Sequence, residues 1–421
     1  IQFCIKLNQV FKFPRGNFKT MKIVVEKLST APVYEQRTEI VERKGLGHPD
    51  FICDSIVDKI SIALSKEYLK RFGRILHHNI DKALLAAGEA ENKFGGGRII
   101  KPMKLIIGDR ATYFAGSEKI DVASIAIRTA KDWLKENLRF LDVENHMEYQ
   151  IELKQTSAAL TEIFKKEDEI LGANDTSAVV GYAPLTPTEK IVLDLERFLN
   201  SKEFKKRYPA SGEDIKVMGL RVNDTIDLTI AMAFVDRFID SENIYFKLKE
   251  EIVEEVKNFV KEKSELKLGD VKINALDERG KGESGLYLTV TGTCAESADS
   301  GQVGRGNRVN GVISLNRPAG NEAGPGKNPV SHVGKIYNLL SHDIAREIFD
   351  SVDGLKEVYL WLLSEIGRPI NNPKVVVVQF VPKNEEDISR IQKKAEEIVQ
   401  KRMENIQSFC KLLAEGKLSV C

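Results

Sequence analysis

Apolar residues recur at Ile52, Ile56, Ile60, Ala63, Leu64 and Phe72. That spacing predicts a helix over 51–72, ending near Gly73. Leu84-Leu85-Ala86-Ala87 predicts a short strand leading into Glu89, and Gly95-Gly96-Gly97 separates it from a strand at 103–115. A helix at 121–138, a strand at 147–155 and a helix at 188–200 follow, the last capped near Thr186 or Thr188. Residues 214–220 and 225–235 read as a hairpin around Asn223-Asp224. Residues 243–263 read as a charged amphipathic helix in a solvated outer layer. A strand at 285–293 leads into a glycine-rich stretch, 299–329. Beyond it the pattern predicts a helix at 333–350, strands at 356–363 and 374–381, and a closing helix at 386–414. Such alternation predicts mixed α/β layers.

A chain of 421 residues suits two or three domains. Charged residues make up 30% of it, yet the net charge is +1. That balance argues against nucleic acid or a membrane surface as a partner. The five cysteines show no zinc spacing and no dense disulfide framework, so a reducing cytoplasm is expected. Residues 1–20 carry Lys6, Lys12, Arg15 and Lys19 and no acid, and stand apart from the core as an extension. Met21 opens the first apolar run.

Gly45-Leu46-Gly47-His48-Pro49-Asp50 places glycines, an imidazole and a carboxylate where a loop becomes a helix. The free N–H groups of that helix end attract phosphate, and Asp50 suits a hard cation. The plainer alternative is that Asp50 complements the helix dipole and His48 bonds a neighbouring carbonyl. Three further stretches combine glycine with charge: Asp214-Ile215-Lys216, the segment 299–308, and Ala323–Asn328. Each taken alone also fits an ordinary turn or surface pair. The Walker pattern fails, because Asn321 and Asn328 stand at its first glycine and its hydroxyl position. The spacing at 304–311 does not match the dinucleotide fingerprint.

GLGHPD, LHHN (76–79), KFGGG (93–97), NDTS with VGYAPL (174–185), GEDIKVMGLR (212–221), GRGNRVNG (304–311) and GKNPVSHVGKIYN (326–338) occur in that order. Together they resemble the archaeal type of S-adenosylmethionine synthetase (methionine adenosyltransferase), over roughly residues 22–420. The resemblance implies an α/β (α+β) fold: three structurally similar mixed α/β domains with interleaved boundaries, in an intertwined homodimer with sites between subunits. The approximate division is 21–150 with the GHPD turn, 151–280, and 281–421 with the glycine loops. It implies ATP and L-methionine as substrates. Sulfur attacks C5′, and the expelled triphosphate is hydrolysed to diphosphate and phosphate. Two Mg²⁺ ions and a K⁺ are implied as cofactors.

The resemblance also implies roles. His48 contacts the triphosphate near the breaking bond, and Lys216, Arg305 and Lys327 hold phosphates. Asp175, Asp214, Asp299 and Ala323 contact ATP or methionine. Asp50 is a Mg²⁺ ligand and Glu89 stands at the K⁺ position. Several departures stand out. A Gly-x-Gly-Ser-x-Asp segment of archaeal members reads Lys154-Gln155-Thr156-Ser157-Ala158-Ala159, so only Gln155 and Ser157 are carried over. Gly306 stands where the bacterial branch has lysine, and Arg308 is expected to replace its charge. The lost glycines raise an alternative: a diverged paralogue that binds nucleotide or cleaves triphosphate without making S-adenosylmethionine, or one that uses another thioether.

Overall fold

The computed structural model describes residues 21–156, 170–385 and 388–420. The 1–20 extension and Ser157 lie outside them. In chain order its principal elements are β1 (Ile23–Lys27), β2 (Thr38–Lys44), α1 (Pro49–Phe72), β3 (His78–Ala86), β4 (Met103–Ala111), α2 (Val122–Asn137), β5 (Met147–Gln155), β6 (Ala178–Ala183), α3 (Pro187–Leu199), β7 (Ser211–Val222), β8 (Thr225–Val235), α4 (Glu242–Lys263), β9 (Lys267–Ile273), β10 (Gly301–Gln302), β11 (Ile313–Ser314), α5 (Val333–Ser351), β12 (Leu355–Leu363), β13 (Val375–Pro382), α6 (Ile388–Glu404) and α7 (Ile406–Glu415).

Three mixed sheets carry the cores, in strand orders β1-β13-β12-β6, β9-β8-β7-β2-β11 and β10-β3-β4-β5. Each sheet recruits strands from distant parts of the chain, so the three layers interleave along the sequence. Each also has its own apolar cluster. Leu105 and Trp133 pack with Ile52 and Leu64 of α1. Val358 and Phe380 pack with Ile344 of α5 and Val399 of α6. Val217 and Leu228 pack with Val192 of α3 and Val256 of α4. Among the described residues no helix is long and apolar enough to cross a membrane.

Helix α1 forms where its signals predict. His48 caps it, Pro49 occupies the first turn, and Gly73 closes it in the left-handed region at φ 70°. The apolar spacing predicts one buried face, but burial extends around the helix and takes in Asp50, Asp54 and Asp58. The cause lies in the 301–306 loop, which covers Asp50 and Asp54, and in Lys335 of α5, which pairs with Asp58 at 2.6 Å. Helix α3 begins with a capping box between Thr186 and Glu189.

Several predicted elements differ in extent, and the strand expected at 103–115 stops at Ala111. The strand expected at 285–293 shrinks to Leu288–Thr289. The Glu296 carboxylate accepts from the Val290 and Thr291 N–H groups, both at 2.7 Å, and curls the chain away. The strand around 84–87 starts earlier, at His78, because its N-terminal half pairs with β4. The closing helix breaks at Asn405, whose side-chain amide donates to the Lys401 carbonyl at 2.8 Å.

Candidate active site

The GHPD turn is an extension of β2 laid against an irregular stretch of β7. Gly45 N–H donates to the Ile215 carbonyl at 2.7 Å and Gly47 N–H to the Glu213 carbonyl at 2.9 Å. A Cβ on Gly47 would fall 2.4 Å from the Asp214 nitrogen, so the close approach excludes any side chain there. The turn then delivers His48 as the helix cap. Its Nδ1 accepts from the Asp50 N–H at 3.2 Å, which puts the ring proton on Nε2. Burial pushes the imidazole below its ordinary pKa although Asp214 and Asp50 pull it back, so it is neutral at pH 7.

His48 opens onto a cleft of about 310 Å³, also lined by Lys44, Asp50, Leu84, Lys216, Asp299, Ser300, Gly301, Gln302 and Arg305. Its shape follows from register. Antiparallel pairing sets Lys216 of β7 opposite Lys44 of β2, and pairing of β10 with β3 sets Gln302 opposite Leu84. Lys216 lies 3.2 Å from Glu42. Asp50 accepts from Lys44 Nζ at 2.9 Å and from the Gln302 N–H at 2.8 Å. Lys44 Nζ also donates to the Arg305 carbonyl at 2.6 Å. Asn307 mimics a strand partner, exchanging two hydrogen bonds with the Lys44 backbone at 2.8 and 2.9 Å.

Two carboxylates sit behind these walls. Asp54 accepts from the Gly304 N–H at 2.9 Å, and burial raises its pKa to about 7. Asp214 accepts from the Cys294 N–H at 2.9 Å, and burial raises its pKa while nearby His48 opposes the shift. Asp299 faces the cleft and accepts from the Ser300 N–H at 2.9 Å.

Lys327 heads a second group. Its loop runs along the edge of β3, with the Gly326 carbonyl accepting from the Ile80 N–H at 2.9 Å. The ammonium lies 2.5 Å from Glu322 and 3.5 Å from Asp81. Burial raises the Glu322 carboxyl, but the Lys327 ammonium outweighs it and holds the acid below its usual range. Ser177 donates to Glu322 at 2.9 Å, and Ser364 donates to the Asp175 carbonyl at 2.8 Å, which ties the exposed Asp175 loop to this group. A Cβ on Gly304 would lie 3.3 Å from Ala323, so the two glycine loops touch. Lys327 bridges to Asn79, whereas Gln302 pairs with Leu84. Five strand residues separate the two anchor points by roughly 16 Å.

The remaining sequence candidates sit apart. Gln155 is exposed and accepts from the Tyr113 N–H at 2.8 Å. Arg308 is half-buried and its carbonyl accepts from the Gly311 N–H at 2.7 Å. Glu89 is exposed and lies 2.5 Å from Lys101. Sequence reasoning passed over Lys44, Asp54, Asn307 and Glu322. A signal for Asp54 was present: Asp50, Asp54 and Asp58 repeat every four residues on a helix whose apolar residues share that period.

The cleft offers hard oxygen donors: the Asp50 and Asp299 carboxylates, the Ser300 hydroxyl and the Arg305 carbonyl. The Lys44 ammonium already rests between Asp50 and the Arg305 carbonyl as a cation in that cradle. Among the described residues no cluster of three His, Cys, Asp or Glu forms a closed cage. This donor set fits Mg²⁺, which keeps waters and binds through one or two carboxylates plus substrate phosphates. Glu89, a single exposed acid paired with Lys101, offers no comparable donor set for K⁺.

A three-sheet α/β fold with a cleft that sets Lys44, Lys216 and Arg305 beside two carboxylates has the make-up of an enzyme that handles a metal-bound polyanion. The family model for S-adenosylmethionine synthetase (AdoMet synthetase) matches residues 21–417. S-adenosylmethionine synthases from Thermococcus gammatolerans and Methanothrix thermoacetophila are 49% and 48% identical to the chain, covering 96% and 95% of it and 99% of each relative. The synthase from Pyrococcus furiosus is 46% identical, over 94% of the chain and 99% of its own length. A solved structure, described as an unusual S-adenosylmethionine synthetase from Campylobacter jejuni, shares the fold at TM-score 0.57 and 16% identity. It covers 91% of this chain and 95% of its own. The chain belongs to the S-adenosylmethionine synthetase family, in its archaeal type, a family of metal-dependent enzymes.

Proposed function

We propose that this chain transfers the adenosyl group of ATP to the sulfur of L-methionine and hydrolyses the displaced triphosphate to diphosphate and phosphate. The observation that carries the reading is the cleft in which His48, Lys216 and Arg305 converge beside Asp50 and Asp299. The chemistry needs no protein nucleophile. The methionine sulfur donates a lone pair to C5′, and the C5′–O bond breaks with its electrons passing to the triphosphate. Alignment of sulfur with C5′ can lower the barrier by about 7–11 kcal/mol.

The leaving group then dominates the design. Neutral His48 presents its Nε2 proton to the oxygen of the breaking bond. Lys216 and Arg305 take phosphate oxygens. A donor of this kind is typically worth about 2.7–4 kcal/mol. Mg²⁺, with Asp50 as a ligand, would neutralise phosphate charge when bound. Asp214 and Asp299 orient the substrates, with Asp214 held rigid by the Cys294 N–H. A homodimer with sites between subunits accounts for the roughly 16 Å between the Lys327 and Gln302 anchors, because Lys327 and Asp175 then serve the cleft of the partner. The free thiols of Cys53, Cys294 and Cys410 support a reducing, cytoplasmic setting.

The test is to incubate the purified protein with ATP, methionine and Mg²⁺. The expected result is sulfonium, diphosphate and phosphate in equal amounts, all dependent on methionine. Triphosphate cleavage without sulfonium would contradict the reading.

A further inference from the structure

Pairing with β3 and the packing of Val303 on the first apolar cluster hold the start of the glycine-rich segment 301–306, ahead of Arg305. Gly304 and Gly306, which flank Arg305, have no side chains to pack, so the handles on that part of the segment are its backbone N–H groups. Helix α1 meets them with carboxylates one turn apart. Asp50 accepts from the Gln302 N–H at 2.8 Å, and Asp54 accepts from the Gly304 N–H at 2.9 Å. Gly306 sits so close that a Cβ there would fall 2.1 Å from Asp54 Oδ2, and its N–H also reaches that carboxylate. Asp54 therefore grips the residues on either side of Arg305, while Lys44 holds the Arg305 carbonyl.

Asp54 is 1% exposed and lines no part of the cleft. A buried carboxylate is costly unless well satisfied, and amide donors pointed at it are the stronger kind of hydrogen bond. The arrangement converts a pliant loop into a fixed base for a cation. We propose that Asp54 is a positioning residue for the adenosyl transfer: it fixes the 304–306 backbone so that Arg305 meets the triphosphate already aligned.

This rests on the phosphate role of Arg305, and the experiment separates the two. Steady-state rates are measured for the wild type, Asp54→Asn, Arg305→Ala and the double variant, with a thermal melt of each. Asp54→Asn is expected to lower kcat on the order of 10- to 100-fold while the methionine KM stays within about twofold. The double variant is expected to be no slower than Arg305→Ala alone, because both changes remove the same aligned cation. Losses that multiply, or wild-type kcat in Asp54→Asn, would overturn the positioning role. Wild-type kcat in Arg305→Ala would overturn the phosphate role of Arg305, and the proposal with it. Should Asp54→Asn fail to fold, Gly306→Ala disturbs the same contact from the loop side. It is then expected to show the same kcat loss, and wild-type kcat in that variant would overturn the proposal.

Discussion

Lys44 Nζ lies 2.9 Å from Asp50 Oδ2, inside the cleft that both residues line. The last side chain of one strand thus meets the first turn of the next helix across the GHPD turn. An ammonium so placed lines the space that an incoming triphosphate would fill. Lys44→Ala is expected to lower kcat/KM for ATP by roughly 10²–10³. Lys44→Arg is expected to restore little of it, since a planar fork cannot replace a compact point charge. Steady-state kinetics check this, and near-wild-type kcat/KM in Lys44→Ala would exclude Lys44 from the phosphate machinery.

The turn that presents His48 tolerates no side chain at its second glycine. Gly47→Ala would drive a methyl into the Glu213–Asp214 peptide. Overpacking of this kind costs about 1–3 kcal/mol. Denaturant titration should show that loss of stability, accompanied by a fall in kcat, because the shift displaces the helix cap.

Stability should also depend on pH in a defined direction. Burial raises Asp54 to about 7 and Glu296 to about 7. Each binds its proton more tightly folded than unfolded. Their contribution is fully present below the unfolded values near 4 and is lost as pH rises through about 7. The melting temperature of Asp54→Asn relative to wild type should therefore be higher at pH 8 than at pH 5. An unchanged difference would contradict the raised Asp54 pKa.

Glu322 occupies the Lys327 ammonium at 2.5 Å. A phosphate oxygen must compete with that carboxylate. Glu322→Gln should therefore bind inorganic tripolyphosphate more tightly, by about 1 kcal/mol, as read by calorimetry. Weaker binding would mean that Glu322 helps to hold the anion, for instance through a metal ion.

Much of this architecture was legible in the residues. Pro49 and Gly73 bracket α1, Thr186 and Glu189 announce α3, and Asn223-Asp224 marks the β7–β8 turn. Local signals sufficed because the chemistry of a cap or turn lies within a few residues. Long-range partners were not legible. Glu296 folding back on Val290 and Thr291 cut short a strand that its own composition favours. The four-residue repeat of Asp50, Asp54 and Asp58 marked Asp54, but its partner, a loop 250 residues later, was not legible. The glycine-and-cation stretches pointed to phosphate, but only the register of β3 shows Arg305 and Lys327 belonging to separate anchor points on one strand edge.

That separation makes the shared-site claim open to one direct measurement. Arg305→Ala and Lys327→Ala are expected to be nearly inactive as separate proteins. Unfolding and refolding them together yields mixed dimers. If each cleft takes Arg305 from one copy and Lys327 from the other, every mixed dimer keeps one intact site, and sulfonium synthesis should return to about a quarter of the wild-type rate. A mixture no more active than its separate components would contradict the account.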